Sequence, residues 1–309
     1  MLRTRSSALD RITKREPRLD STMQRTGTGR GVAIYVFDGG ISTTHAELAG
    51  RVRVGFDAFP STPRVCNAHG TAVAGAAAGA TLGVAPEAEV VDVKIINCDH
   101  MRGSVGAIVD AARWTVQDHR RHPGQPAVAN WSFAVDTTRN VPEVDSAMAM
   151  LRDAGVLVVV AAGNFEVDAC HVSPANAPRA LVVGASALVR SPGRPWQDVR
   201  AKSTAWGPCV DLYAPGDSVL LPGFDRDGST ISPWNGTSMA AGYVSGAASL
   251  IFERDPSASP DDVMMALLQQ ATPSVVDERA PGIKTSARSP LLYVGSAVRT
   301  VAAIPHVRY

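Results

Sequence analysis

No apolar run in this sequence approaches the roughly 20 residues a helix needs to cross a bilayer. The longest strongly apolar stretch, residues 156–162, suits a buried strand. Nor is there an excess of charge of one sign. Thirty basic residues against 29 acidic ones give a net charge of +1, which points to neither nucleic acid nor a charged membrane as a partner. The basic N-terminal stretch lacks the apolar segment of a secretory signal, so the chain as read carries no export address. Low-complexity blocks, long linkers and internal repeats are also missing. Only four cysteines occur, Cys66, Cys98, Cys170 and Cys209, and none form a CxxC pair. That excludes zinc-knuckle and thioredoxin-like spacings, and composition leaves four buried thiols and two disulfides equally open.

What remains is a chain of 309 residues, 45% hydrophobic and 19% charged, long enough to bury a sizeable core in one domain. Residues 1–30 are polar and read as an N-terminal surface arm. From Gly31 the pattern alternates. Residues 31–37, 90–96, 156–162 and 180–186 are β-branched apolar runs of the kind found in buried parallel strands. Between them lie helical segments. Ser104 can cap a helix with Val105, Ile108, Val109, Ala112 and Val116 on one face. Residues 142–154 end at Gly155, a suitable residue to stop a helix. A last helix is expected over 259–270, residues 190–200 read as a surface loop, and 295–309 as a peripheral tail. Such alternation predicts an α/β fold with a mainly parallel central sheet and helices on both faces. Functional groups should then gather at the carboxyl ends of the strands.

Three short contexts carry chemistry. Asp38 ends an apolar strand and is released into the Gly39-Gly40 turn, where a carboxylate can orient an imidazole; a turn-forming aspartate is the plainer reading. His69 stands in NAHGTAVAGAAAG, whose small residues would let a helix lie close to other backbone; alone, it reads equally as a capping histidine. Ser238, in NGTSMAAGYVSG, would open another small-residue helix, whose free N–H groups offer positive potential to a developing oxyanion; an N-capping serine is the alternative.

Together, Asp, His and Ser in this order resemble the triad order of subtilisin. VFDGGI, NAHGTAVAG and NGTSMA resemble the three signature blocks of the subtilisin family, and AAGN (161–164) a fourth, in which Asn164 would help bind the oxyanion. The resemblance runs from about residue 9 to 295 and is nearest to the proteinase K and aqualysin subgroup. It implies a three-layer subtilisin-like fold, with residues 31–294 as the peptidase domain. The implied function is a serine endopeptidase that uses an acyl-enzyme and no catalytic cofactor. It also implies the disulfides Cys66–Cys98 and Cys170–Cys209, worth about 3–4 kcal/mol each on chain-entropy grounds. A structural calcium ion would be held by the carbonyls of Pro178 and Ala180 and the carboxylate of Asp211, an oxygen set suited to a hard cation. An α/β-hydrolase esterase is excluded, because there the serine comes first in the chain.

Departures from the family pattern cluster around the substrate. The usual Asp-Thr/Ser-Gly is Asp38-Gly39-Gly40, the second histidine of HGTHVAG is Ala72, and Ala-Thr-Pro-His is Ala240-Ala241-Gly242-Tyr243. The two segments that would flank an extended peptide read His100-Met101-Arg102 and Ser132-Phe133-Ala134-Val135, with side chains where glycines usually leave room. This admits a rival reading, a subtilisin-fold protein that binds polypeptide with little or no cleavage. The pocket for the residue before the scissile bond would be lined by 132–134 and by Ala161, Ala162 and Gly163, with Val172 near its floor. No acidic residue is placed there, so an apolar side chain is expected. A polypeptide substrate, a separate inhibitory pro-segment, a monomer and an extracellular setting complete the expectations, the last resting on the disulfides.

Overall fold

The computed structural model describes residues 1–223, 228–278 and 288–295. The expected tail therefore lies, from residue 296, outside the described residues. Near the N-terminus the strands β1 (Leu2–Arg3) and β2 (Thr22–Met23) pair antiparallel around helix α1 (Ser7–Ile12). Ser6 caps α1 by accepting the Leu9 N–H, and Ala8, Leu9 and Ile12 are buried in the main core. Arg11 forms a buried ion pair with Asp198 at 2.6 Å, so this end of the chain is tied to the domain by more than surface contact.

The central sheet is built from β3 (Ala33–Asp38), β4 (Val52–Asp57), β5 (Glu89–Lys94), β6 (Ala127–Trp131), β7 (Val156–Ala161), β8 (Leu181–Val189), β9 (Gln197–Arg200) and β10 (Leu212–Pro215). A separate hairpin, β11 (Val219–Pro222) and β12 (Ile231–Trp234), follows, and β13 (Thr272–Asp277) and β14 (Arg288–Leu291) close the far edge. Among the described residues the order is β10-β14-β13-β9-β8-β7-β6-β3-β5-β4, parallel from β4 through β8. Part of the loop expected at 190–200 is strand: β9 pairs antiparallel with β8, because Val199 has an apolar neighbour, Ala187, to sit against.

Strand period two divides the core. Ile34, Val36, Leu157 and Val159 face α1, α2 (His69–Ala78), α5 (Thr237–Arg254) and α6 (Pro260–Gln270). Tyr35, Phe37, Val158 and Val160 face α3 (Val105–Arg120) and α4 (Pro142–Asp153). The helix limits follow the expected signals. Ser104 accepts the Ala107 N–H at 3.1 Å, Ser259 and Asp262 form a reciprocal capping box, and Gly155 takes the left-handed φ of 89° after α4. β5 buries two charges in an apolar run. Asp92 pairs with Arg64 at 2.7 Å and Lys94 with Asp57 at 3.4 Å, which is how a strand carrying both can lie inside. No described helix is long and apolar enough to cross a membrane.

The cysteines are paired as Cys66–Cys98 and Cys170–Cys209. The first bridge joins the loop ahead of α2 to the segment after β5, and the second joins the turn after β7 to the approach to β10.

Candidate active site

The carboxyl ends of β3, β5, β6 and β7 face the N-termini of α2 and α5, and the chemistry-bearing residues gather there. Asp38 is the last residue of β3 and is 6% exposed. Its Oδ1 accepts the Gly39 N–H at 2.7 Å, and its Oδ2 faces His69 Nδ1 at 2.7 Å. The turn that releases it requires glycine at position 40: φ is 99°, and a Cβ there would lie 1.9 Å from the Arg64 carbonyl oxygen. Gly70 is needed for a related reason. A Cβ there would meet the Gly40 carbonyl at 2.5 Å and Asp38 itself at 3.0 Å.

His69 opens α2 and Ser238 is the second residue of α5. The packing of these helices brings them together. A Cβ on Gly242 would lie 2.7 Å from the Val73 carbonyl oxygen, and one on Gly246 would lie 2.4 Å from that of Ala77. Val73 and Ala77 stand four and eight residues after His69, and Gly242 and Gly246 stand four and eight after Ser238. The two helices therefore run side by side in register from their first turns, their backbones in contact through small residues. Ala72 and Tyr243, both departures from the family pattern, are fully buried in the core these helices share.

The His69 imidazole is about one-third exposed. Burial disfavours its cation, but the charge and hydrogen bond of Asp38 outweigh that and raise its pKa above the ordinary histidine value. With Nδ1 donating to Asp38, Nε2 is the nitrogen left to accept a proton. The edge of Trp234 stands against the ring, centroids 6.2 Å apart, and the indole N–H is fixed by donating to the Pro222 carbonyl at 3.1 Å. Sequence reasoning missed Trp234; its place beside Asn235-Gly236-Thr237-Ser238 was the signal available.

Ser238 is 7% exposed, and its Oγ donates to the Ser132 carbonyl at 3.4 Å. Among the described residues no hydrogen bond joins this Oγ to the His69 imidazole. Asn164 is held beside the serine. Its Oδ1 accepts both the Thr237 N–H at 3.0 Å and the Thr237 Oγ1 hydroxyl at 3.1 Å, and among the described residues the amide N–H groups have no acceptor. Gly236, at φ 134°, makes room: a Cβ there would approach Asn164 Nδ2 to 3.1 Å. Thr237 is thus a second residue the sequence reading did not single out.

The expected substrate-facing residues divide. Met101, Arg102, Phe133 and Ala134 line a cavity of about 540 Å³ together with Ile96, Val105 and Ile108. Met101, Ser132 and Phe133 also border a smaller one of about 170 Å³ that reaches Asp38 and His69. His100 is exposed and borders neither. With the substituted segments 100–102 and 133–135 in place, a cavity remains between Met101, Arg102 and Phe133, Ala134, Val135. Ala161 and Ala162 are buried, and Val172, fully buried, lies 3.3 Å from where a Gly163 Cβ would be. A third cavity of about 450 Å³ opens beyond Asn164, bordered by Phe165, Lys202, Asp217 and Asn235.

Residues 29–288 match the Subtilase family, and the chain belongs to that family. It is 39% identical over 270 residues to an extracellular serine proteinase of Thermus sp. (strain Rt41A), covering 87% of this chain and 62% of that protein. It is 34% identical over 274 residues to alkaline serine exoprotease A of Vibrio alginolyticus, covering 88% of this chain and 48% of that one. The chain thus spans about half to three-fifths of the length of these relatives. Among solved structures, a cold adapted subtilisin-like serine proteinase superimposes with a TM-score of 0.80 at 31% identity, covering 94% of this chain and 98% of that one.

The raised His69 pKa has a kinetic consequence. For a reaction in which His69 must be neutral to accept a proton, kcat/KM falls as pH drops through that pKa, so the acid limb should lie above about 6.5. Asp38→Asn removes the charge that raises the pKa, so the limb of any residual activity moves to lower pH. A pH–rate profile of both proteins measures this, and an unmoved limb would show that Asp38 does not govern the imidazole.

Proposed function

We propose that this chain is a serine endopeptidase, with Asp38, His69 and Ser238 as its triad. The observation that supports the proposal is the side-by-side packing of α2 and α5, whose first turns carry the Asp38-oriented His69 and Ser238. Ser238 Oγ attacks the scissile carbonyl carbon while His69 Nε2 takes its proton, and Asp38 holds the tautomer and stabilises the cation. Asn164 Nδ2 and the Ser238 N–H bind the oxyanion. Collapse expels the amine, which receives the proton from His69; water, giving a proton to His69, then attacks the acyl-enzyme, and the carboxylic acid leaves as Ser238 takes that proton back.

The substrate is an extended polypeptide. Among the described residues no backbone hydrogen bond is made by Phe133 or Ala134, which supports an edge that accepts a strand. The apolar cavities beside it suit side chains two residues apart on one face of that strand, and an apolar residue is expected next to the scissile bond. Beside the altered cleft segments, the Ser238 hydroxyl bond to Ser132 is a feature favouring the rival, a polypeptide binder that does not cleave. Incubation with an unfolded protein and mapping of the products by mass spectrometry tests the choice. Internal cleavage after apolar residues is expected; a stable complex with intact polypeptide would establish the rival.

A calcium ion near Asp211 is part of the same proposal. Among the described residues Oδ2 of Asp211 accepts the Val182 N–H alone, at 2.7 Å, and burial pushes its carboxyl above the ordinary range against the pull of that bond. Arg179, at φ 65° between Pro178 and Ala180, directs its guanidinium to Asp153 at 2.8 Å instead. No described group of three or more His, Cys, Asp or Glu residues is gathered for a metal, so an ion here would rest on the carbonyls of Pro178 and Ala180 and this one carboxylate. Such an oxygen set fits a hard cation. Chelation should lower Tm in the parent protein and leave that of Asp211→Asn unchanged; equal Tm with and without chelator in the parent would exclude the ion. The disulfides and the extracellular relatives support an extracellular setting, and a separate pro-segment is the other partner proposed.

A further inference from the structure

Beneath the nucleophile, a chain of buried side-chain hydrogen bonds leaves the middle of α5, passes through β6 and returns to the first turn of α5. Ser245 Oγ donates to Asn130 Oδ1 at 2.9 Å, Asn130 Nδ2 donates to Ser132 Oγ at 2.8 Å, and Ser132 Oγ donates to the Ser238 carbonyl at 3.1 Å. Asn130 and Ser245 are fully buried, and Ser132 and Ser238 nearly so. The order of donors is fixed by the chemistry of the amide. Once its oxygen accepts from Ser245, its nitrogen must face Ser132, whose own proton is then committed to Ser238. Bonds linked in this way polarise one another in a low-dielectric interior.

The setting makes Asn130 unusual. Its neighbours across the sheet are Val36 and Val159, both fully buried. An amide in such surroundings costs free energy unless its bonds are made. Ser238 and Ser245 are seven residues apart, two turns along one face of α5, so one amide braces that face at two heights. Ser132 and Ser238 are also joined in the other direction, by Ser238 Oγ to the Ser132 carbonyl at 3.4 Å. That upper bond must break for the hydroxyl to reach the imidazole, whereas the lower one, from Ser132 Oγ, can stay.

We propose that Asn130 is a positioning residue for the nucleophile. By orienting the Ser132 hydroxyl it fixes the first turn of α5, and with it the Ser238 Oγ and N–H, against the substrate wall at 132–134. The proposal rests on the peptidase reading. It also commits the Ser132 side chain to the interior, leaving its backbone to face substrate.

The test compares Asn130→Leu, Ser132→Ala and the double variant with the parent enzyme, by kcat and KM on a peptide amide, the rate of fluorophosphonate labelling, and Tm. Misplacement of the attacking group should lower kcat and labelling at least about tenfold in each single variant, with KM within about twofold. Because Asn130 acts through Ser132, the double variant should be no slower than Ser132→Ala alone. Parent-like kcat in folded Asn130→Leu, or effects that multiply in the double variant, would overturn the proposal. If Asn130→Leu does not fold, Ser245→Ala carries the test. It removes only the far donor, and a loss of about threefold in kcat that vanishes in the Ser132→Ala background is expected; no loss overturns the proposal. An inert parent enzyme would remove the peptidase reading and this proposal with it, whereas an active parent with an indifferent Asn130 removes this proposal alone.

Discussion

Replacing Ser238 by alanine should lower kcat for peptide hydrolysis by about 10⁶, the size of effect seen when a subtilisin triad loses its nucleophile or base. In the proposed triad the loss is so large because the three groups act as one device. With no attacking oxygen, the imidazole of His69 has no proton to accept, and the charge of Asp38 then stabilises a cation that never forms. What remains is binding and the oxyanion donors, which still stabilise the tetrahedral adduct formed when water attacks the carbonyl directly. Stability should change little. Among the described residues the hydroxyl's one hydrogen bond is the 3.4 Å contact to the Ser132 carbonyl, at the weak limit of such bonds. Steady-state kinetics with a matched Tm measurement checks both parts; a kcat within tenfold of the parent would mean that Ser238 is not the nucleophile.

Asn164→Asp should cost about 10²–10³ in kcat with KM nearly unchanged, the expectation for losing one oxyanion donor. This variant separates two roles of the side chain. Asn164 Oδ1 accepts from the Thr237 N–H and hydroxyl, and a carboxylate can keep both of those bonds. It loses only the free N–H groups and puts a negative charge where the oxyanion develops. Asn164→Leu, which also abandons Thr237, should lose at least as much activity and some stability. Equal kcat in the parent and in Asn164→Asp would show that the amide does not face the reacting oxygen.

Much of the scaffold could be read from the sequence because its determinants are local. Ser104 and Ser259 mark helix starts by caps that reach only three residues, and Gly155 marks a stop by its backbone freedom. Asp38, His69 and Ser238 each sit in glycine-rich contexts that the helix contacts now explain. Gly70, Gly242 and Gly246 are where backbone meets backbone. The cysteine pairing followed from resemblance, since spacing alone could not select it. What could not be read depends on partners distant in the chain. The helix inside the N-terminal arm is held by Asp198, 187 residues away. Thr237 gains its role from Asn164, and Trp234 from His69. Asn130 looks like an isolated polar residue in an apolar strand until Ser245, 115 residues on, supplies its donor.

The measurement that bears most directly on the peptidase claim is labelling of the folded protein by a fluorophosphonate probe, with Ser238→Ala alongside and the adduct mapped by mass spectrometry. Rapid, stoichiometric labelling confined to Ser238, and none in the alanine variant, is expected. Folded protein that fails to label, or labels equally without Ser238, would contradict the claim.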